Sequence, residues 1–277
     1  MIDLGRMNTL EVVREEERGY YLEAGVDGEM FLPRAEAPEL LEMGQRLEVF
    51  IYRDSSDRLI ATTRTPKAMV GDFEMLEVMQ VTPHGAFLDW GLVKDLMLPF
   101  GEQKKKVSHG VRLVVRVYID DETRRIAATA RLGRYLGKTG RKYFTNEEVD
   151  LLVVDRTDLG YRVVVENEDW GLVYHNQIFQ SLEVGQRLKG YVSQTREDDK
   201  LDIVLQKPGP EKAMDLSQKI LNNLEQNSGF SELGDKADPS AILAAYNVSK
   251  KTYKRALSQL YKDRKITFDD GGIKLLK

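Results

Sequence analysis

The segment SKKTYKRALSQLYKDRK, residues 249–265, is the part of the chain best suited to bind an anion. It holds seven Lys or Arg and one Asp, in a protein of 277 residues whose formal net charge is −4. Its apolar residues recur at the i, i+3, i+4, i+7 and i+8 spacing of a buried helix face: Tyr253, Ala256, Leu257, Leu260 and Tyr261. The opposite face carries Lys251, Arg255, Ser258 and Lys262, with Lys254 at its flank. Such a row of cations could follow phosphates, or it could be the ordinary solvated face of an amphipathic helix.

The sequence shows no residue pattern typical of catalysis. The chain has no Cys, which excludes disulfides, thiolate nucleophiles and Cys-ligated metals and fits a reducing compartment. The three His lie far apart, without metal-binding spacing. The acidic runs at 120–123 and 197–199 fall in predicted hairpin turns, and neither a Walker A loop nor a nucleophile elbow occurs. We therefore predict that the protein is not an enzyme and uses no metal, no cofactor and no small-molecule substrate.

The composition is that of a folded chain, with 42% apolar and 31% charged residues. The opening MIDLGRMNTLEV has no basic leader before an apolar run. No stretch approaches the roughly 20 apolar residues that cross a bilayer. These features predict a cytoplasmic protein without a membrane partner.

Three pairs of glycines reveal a repeat. Each pair is separated by 25 residues: Gly19 and Gly44, Gly85 and Gly110, and Gly160 and Gly185. After the second glycine of each pair come two β-type runs joined by a charged turn, which is the pattern of a hairpin. Four or five short strands in 65–75 residues suit a small closed barrel, because closure removes exposed strand edges. Tandem β-sandwich or SH3-like units without a nucleic-acid role are the alternative.

The periodicity changes after residue 208. Met214, Ile220, Leu221 and Leu224 form a helical stripe, and Asp238-Pro239-Ser240 begins a second helix. Ser249 is placed to cap the basic helix, and ITF, DDGG and IKLL read as strand, turn and strand. Three helices followed by a hairpin predict a winged helix, whose third helix is the one that helix-turn-helix domains present to a ligand. Because winged helices bind DNA, RNA or proteins, the fold alone does not choose the partner.

Four domains are thus predicted, two of them acidic and two basic. Residues 1–66 form an acidic first barrel of net charge −6, residues 67–138 a second of +3, residues 139–207 a third of −4, and residues 208–277 the winged helix of +3. The predicted fold class is multidomain and mainly β. The negative field of the first barrel should repel phosphate, so we expect its role to be structural or its binding to be weak.

The segments GAFLDWGLVKDLMLPFGE, residues 85–102, and GYRVVVENEDWGLVYHNQI, residues 160–178, resemble the S1 RNA-binding domain, a five-stranded OB-fold barrel. The resemblance implies that aromatic residues stack on unpaired bases while cations follow the phosphates. Two places after the first glycine stand Tyr21, Phe87 and Arg162, and twelve places after it stand Phe31, Met97 and Leu172. The hairpin acid is Asp54, Asp120 or Thr195, and the basic position is Leu59, Arg125 or Lys200. No repeat has the whole set, and the first barrel is the most divergent.

Fourteen places after the first glycine, where S1 domains often have His, stand Pro33, Pro99 and Tyr174, with His175 next to Tyr174. The candidate RNA-binding residues follow from these positions. In the barrels they are Phe87, Arg125, Tyr174, His175 and Lys200. On the third helix they are Lys251, Lys254, Arg255 and Lys262. Weaker candidates are Tyr21 and Phe31, and Arg134, Lys138 and Arg141 of the glycine-containing basic segment 131–142. That segment is either a flexible linker or a stretch that lies along a polyanion.

The three repeats with the ending DKADPSAILAAYNVSKKTYKRALSQLYKDRKI resemble the conserved virulence factor B family of bacterial S1-type RNA-binding proteins. The resemblance implies a cytoplasmic protein that binds RNA, in our interpretation single-stranded, and that affects gene expression, including virulence traits, without a catalytic site. Two alternatives stay open. One is a DNA-binding transcriptional regulator that uses the winged helix, and the other is a scaffold that docks on ribosomal or RNA-decay proteins.

Overall fold

The computed structural model describes residues 1–137, 140–178, 180–206, 210–246, 248–269 and 271–276. Within these ranges, fifteen strands form three five-stranded barrels in chain order, and a winged-helix domain follows. The first barrel contains β1 Met7–Glu16, β2 Gly19–Glu23, β3 Glu29–Pro33, β4 Arg46–Arg53 and β5 Leu59–Thr62. The second contains β6 Phe73–Thr82, β7 Gly85–Asp89, β8 Leu96–Pro99, β9 Arg112–Ile119 and β10 Ile126–Thr129. The third contains β11 Glu148–Arg156, β12 Gly160–Val165, β13 Asp169–Tyr174, β14 Arg187–Thr195 and β15 Leu201–Val204. The predicted fold class is confirmed.

The glycine spacing has a structural cause that is the same in all three barrels. The first strand of each barrel contains a bulge, and the second glycine of each pair donates its amide to a carbonyl just before that bulge. These bonds join Gly44 to Val12 at 2.8 Å, Gly110 to Val78 at 2.8 Å and Gly185 to Val153 at 2.7 Å. The three glycines have φ of +78°, +78° and +85°, a region that other residues enter only at a cost.

The first glycine of each pair is required for a different reason, which is close packing. A Cβ at Gly19, Gly85 or Gly160 would lie 2.3, 2.7 or 2.0 Å from a carbonyl oxygen of the next strand. The neighbouring hairpin could not approach a larger residue so closely. Both glycines of the repeat are therefore fixed by backbone geometry.

The second barrel closes differently from the other two. In the first barrel β3 pairs with β5, and in the third β13 pairs with β15, so that both are closed. Across the described residues of the second barrel, β8 and β10 lie side by side but no ladder hydrogen bonds join them. This unpaired boundary between β8 and β10 is called the seam below.

The barrels are docked on one another through apolar contacts. Phe50 and Tyr52 of the first barrel pack edge-on against Trp90 of the second, with ring centroids 5.6 and 6.5 Å apart. At the other junction, a buried cluster joins Phe73, Val114, Leu132 and Leu136 to Leu152, Val154 and Val164 of the third barrel. Burial of this kind stabilises each junction by about 25 cal/mol per Å² of apolar surface.

The segment 131–137 is part of that second junction. Residues 132–134 form a short 3₁₀ helix, Leu132 and Leu136 are buried, and the Arg131 guanidinium donates to the carbonyls of Gly101 and Gln103. The interpretation of this stretch as a flexible linker is therefore wrong. The composition indicated a linker because Leu132 and Leu136, which anchor the segment, stand among glycines and basic residues.

The C-terminal domain contains three helices and a three-stranded sheet of order β16-β18-β17. Its elements are α1 Pro210–Gln226, β16 Phe230–Ser231, α2 Pro239–Tyr246, α3 Lys250–Lys262, β17 Ile266–Asp269 and β18 Gly272–Leu275. The predicted cap is present, because the Ser249 hydroxyl accepts the Thr252 amide at 3.2 Å. In the described ranges, no helix has the length and apolar character needed to cross a membrane.

The buried face of α3 is one residue smaller than predicted. Tyr253, Ala256, Leu257 and Leu260 are buried, but Tyr261 is 53% exposed. Its ring lies 5.4 Å from that of Phe268 on β17, which is also exposed. Tyr261 occupies the edge of the apolar stripe, where the i+8 position turns outward.

Candidate nucleic-acid interface

The positions chosen from the S1 pattern are cross-strand neighbours in every barrel. Tyr21 is opposite Phe31, Phe87 is opposite Met97, and Arg162 is opposite Leu172. Side chains at directly opposed positions lie on the same face of a sheet and touch. The sequence alignment therefore identifies one equivalent surface in each barrel.

In the second barrel this surface opens on a cleft of about 580 Å³, which we call the inter-barrel cleft. Phe87, Met97 and Ile126 line it from both sides of the seam. The opposite wall belongs to the first barrel and contains Tyr52 and the β4–β5 hairpin. A concave site of this size that combines aromatic walls with polar and charged side chains is suited to a small planar ligand with polar edges.

An ion pair and hydrogen bonds to the backbone hold the β4–β5 hairpin of the first barrel against the second barrel, beside this cleft. Arg125 Nε donates to Asp57 Oδ1 at 3.1 Å. Lys94 Nζ donates to the carbonyls of Arg53 and Asp54 at 3.0 and 2.8 Å. The hydrogen bond from Arg125 lowers the pKa of Asp57, whereas burial lowers the pKa of Lys94. Lys94 and Arg125 are thus already engaged by the first barrel.

Two tyrosines of the cleft stay neutral. Burial raises the pKa of both Tyr52 and Tyr118 to about 12. Their hydroxyls therefore keep their protons into alkaline solution and can donate hydrogen bonds. The sequence analysis missed both residues, since neither belongs to the S1 positions.

The candidate residues of the third barrel make their contacts within that barrel. The Tyr174 hydroxyl accepts a hydrogen bond from Arg196 at 2.7 Å, and His175 Nε2 lies 2.9 Å from the Thr157 carbonyl. Lys200 Nζ pairs with Asp198 at 2.6 Å. Arg162, which replaces the S1 aromatic residue, pairs with Asp155 and lies 5.2 Å from the Trp170 ring.

The aromatic pair of the first barrel is partly covered. The rings of Tyr21 and Phe31 are 5.3 Å apart, and the Arg14 guanidinium lies 3.5 Å from the centre of the Tyr21 ring. Phe31 also packs against the apolar cluster that joins the first two barrels. One face of Tyr21 is therefore occupied by a cation of its own barrel.

The structure corrects the hairpin alignment by one residue in two barrels. The residues that close the last hairpin are joined by a backbone hydrogen bond: Asp54 to Arg58, Asp120 to Arg125, and Arg196 to Lys200. The basic position of the first barrel is thus Arg58 rather than Leu59, and Arg196 rather than Thr195 is equivalent to the hairpin acid. The loop of the second barrel is one residue longer, which the ungapped alignment did not detect.

The basic candidates on α3 are exposed. Lys251, Lys254, Arg255 and Lys262 form this surface, which we call the α3 cation face. Among the residues that the structure describes, no ion pair involves any of the four. The exposed Tyr261 and Phe268 pair lies at the helix end that carries Lys262.

Two of the three weaker candidates in the segment 131–142 form ion pairs. Arg134 pairs with Glu102 at 2.9 Å, and Arg141 pairs with Glu147 at 3.0 Å. Lys138 lies outside the described residues. In the ranges that are described, no group of three or more His, Asp or Glu is placed to bind a metal.

Comparison with known proteins adds to this geometry. Residues 4–64 match the family model of the S1 domain, and residues 218–275 match that of the CvfB-like winged helix domain. The resemblance to the conserved virulence factor B family is confirmed. The S1 match falls on the first barrel, so its acidic charge and divergent motif do not remove it from the S1 class.

The relatives cover nearly the whole chain. The chain is 25% identical over 284 residues to conserved virulence factor B of Staphylococcus aureus, covering 99% of this chain and 94% of the relative. It is 27% identical over 282 residues to the uncharacterized protein YitL of Bacillus subtilis, covering 96% and 92%. A solved multidomain protein with nucleic acid binding domains from Streptococcus pneumoniae is 26% identical, with 99% and 98% coverage and a TM-score of 0.41.

Proposed function

We propose that the protein is a non-enzymatic, cytoplasmic RNA-binding protein that regulates gene expression after transcription, including virulence traits. The observation that carries this proposal is the inter-barrel cleft, which Phe87, Met97 and Arg125 line together. Aromatic and apolar walls bind the faces of bases, and these faces are accessible only when the bases are unpaired. Single-stranded RNA is therefore the ligand that this site suits best.

The α3 cation face supplies the complementary chemistry. Its four cations have no acidic partner among the described residues, so phosphate would not have to displace one. Contacts of this kind add affinity without reading sequence. The name of the Staphylococcus aureus relative supports a role in virulence.

A second candidate function is binding of duplex DNA. It is favoured by the same helix, because the third helix of a winged-helix domain can enter a major groove while the wing contacts the backbone. The barrels would then contribute little, since a duplex hides the faces of its bases.

A competition experiment separates the two functions. A labelled single-stranded RNA is bound to the full chain at about 0.15 M salt, and unlabelled RNA, single-stranded DNA and duplex DNA of equal length compete for it. We expect RNA to compete best and the duplex worst, and we expect the RNA to remain intact after incubation with Mg²⁺. A duplex that competes best would establish the second function, and cleavage of the RNA would contradict a non-enzymatic role.

A further inference from the structure

The inter-barrel cleft is a composite site that no single S1 barrel contains. One wall is the surface of the second barrel, and the other consists of Tyr52 and the β4–β5 hairpin of the first barrel. In the first and third barrels the strands equivalent to β8 and β10 are paired, so among the described residues an unpaired seam occurs in the second barrel alone. Lys94 holds the hairpin through two backbone carbonyls and keeps the cleft in shape.

Four carboxylates line this cleft, and three of them are engaged. Asp54 accepts the Ser56 and Arg58 amides, Asp57 accepts from Arg125, and Asp120 accepts from Thr123. The fourth, Asp95, has no hydrogen-bond or ion-pair partner among the described residues, although it is partly buried. Burial, followed by the charge of Asp89, raises the pKa of Asp95, as expected for a carboxylate without a compensating cation. Asp95 is thus the one acidic acceptor of the cleft that these residues leave uncommitted.

An ionised carboxylate can only accept hydrogen bonds. Adenine, cytosine and guanine each present an exocyclic amino group, which donates. Uracil presents one ring N–H between two carbonyl oxygens, and those oxygens would face the carboxylate unfavourably. A base held against Phe87 and Met97 with its edge toward Asp95 would therefore be selected for an amino group.

We propose that the inter-barrel cleft binds one unstacked nucleobase that carries an exocyclic amino group, with Phe87 and Met97 against its ring and Asp95 accepting from the amino group. This inference rests on the proposed RNA-binding function and names the ligand of its site. It also gives the first barrel a role, because Tyr52 and the β4–β5 hairpin form the wall opposite the base.

The test uses the full chain and four dodecameric RNAs. One is oligouridine, and the others carry a single central A, C or G, so that sliding can bring the substituted base to the cleft. Affinities are measured by fluorescence anisotropy for the unchanged protein, for Asp95→Asn and for the control Asp121→Asn. Asp121 is an exposed acid of the same barrel that does not line the cleft, and it matches the change in charge.

We expect the three substituted RNAs to bind the unchanged protein about fivefold or more tightly than oligouridine. Asp95→Asn should reduce this ratio to below about twofold, because an amide offers both a donor and an acceptor and can also pair with uracil. Asp121→Asn should keep the ratio. Equal binding of all four RNAs by the unchanged protein, or a ratio that survives in Asp95→Asn, would overturn the inference while leaving RNA binding established. Absence of binding to any of the RNAs would overturn the proposed function together with this inference.

Discussion

The cations of the barrels and those of the α3 cation face are compensated differently. The basic residue that closes the last hairpin of each barrel pairs with a carboxylate: Arg58 with Asp54 at 2.8 Å, Arg125 with Asp57 at 3.1 Å, and Lys200 with Asp198 at 2.6 Å. On α3, none of the four candidate cations has such a partner among the described residues. The two regions therefore differ in how readily their cations can bind a phosphate.

This difference suggests a division of roles within one binding path. A phosphate that approaches a barrel hairpin must displace a carboxylate, whereas one that approaches α3 displaces only counterions. The barrels gain little attraction from their charges, and their aromatic surfaces contribute most to binding. We infer that α3 supplies affinity for any strand while the inter-barrel cleft discriminates among bases.

The largest expected effect comes from removing the α3 charges. Changing Lys251, Arg255 and Lys262 to Ala should flatten the dependence of log affinity on log salt by up to roughly 0.7 per lost contact on single strands. Three contacts correspond to about 50-fold weaker binding at 0.15 M salt, equally for all sequences. Titrations at several salt concentrations measure both quantities.

A matched triple variant tests whether pairing decides this effect. Arg58, Lys67 and Lys189 are exposed cations of the barrels that pair with Asp54, Asp89 and Asp150. Their replacement by Ala removes the same net charge, but it should leave the salt slope almost unchanged. If both triple variants lose equal slope, net charge rather than the α3 surface governs binding, and the division of roles is wrong.

A smaller effect is expected in the inter-barrel cleft. Phe87→Leu keeps an apolar side chain but removes the ring, so binding should weaken about fivefold, at the low end of what one base stack contributes. The salt slope should stay the same, since no charge changes. Affinity and slope are measured in the same titrations.

Tyr21→Leu is the control for the ring. Tyr21 stands at the equivalent position of the first barrel, but Arg14 covers one face of its ring and Phe31 lies beside it. Its replacement should leave affinity within about twofold. A larger loss of affinity in Tyr21→Leu than in Phe87→Leu would indicate that bases stack on the first barrel rather than on the second.

The fold could be predicted from sequence because local backbone geometry specifies it. Gly44, Gly110 and Gly185 make the same hydrogen bond to the bulged strand. The equal spacing of the glycine pairs therefore reflects the same backbone structure in each barrel. The winged helix was predictable for similar reasons, since Ser249 caps α3 and the apolar stripe defines its buried side. Tyr261 shows the limit of periodicity, because the edge of a stripe can face either the core or solvent.

The site was predictable only within each barrel. Phe87 and Met97 are neighbours because one hairpin contains both, and that pairing follows from the motif. The inter-barrel cleft depends on how two domains dock, and Arg125 meets Asp57 across 68 residues of sequence. Nothing in the repeat signals this contact. The role that we propose for Asp95 was likewise not predictable, because it depends on the docking of the first two barrels.

The smallest effect should come from freeing the paired cations of the barrels. Asp57→Asn releases Arg125, and because exposed ion pairs are weak, affinity should rise by only roughly two- to fivefold, with a steeper salt slope. Asp198→Asn releases Lys200 in the third barrel in the same way. Asp121→Asn, which releases no described ion pair of either hairpin, controls for the lost negative charge. A gain in Asp57→Asn alone would place the RNA path on the second barrel, a gain in both would extend it to the third, and no gain beyond the control would exclude the barrel hairpins from phosphate contact.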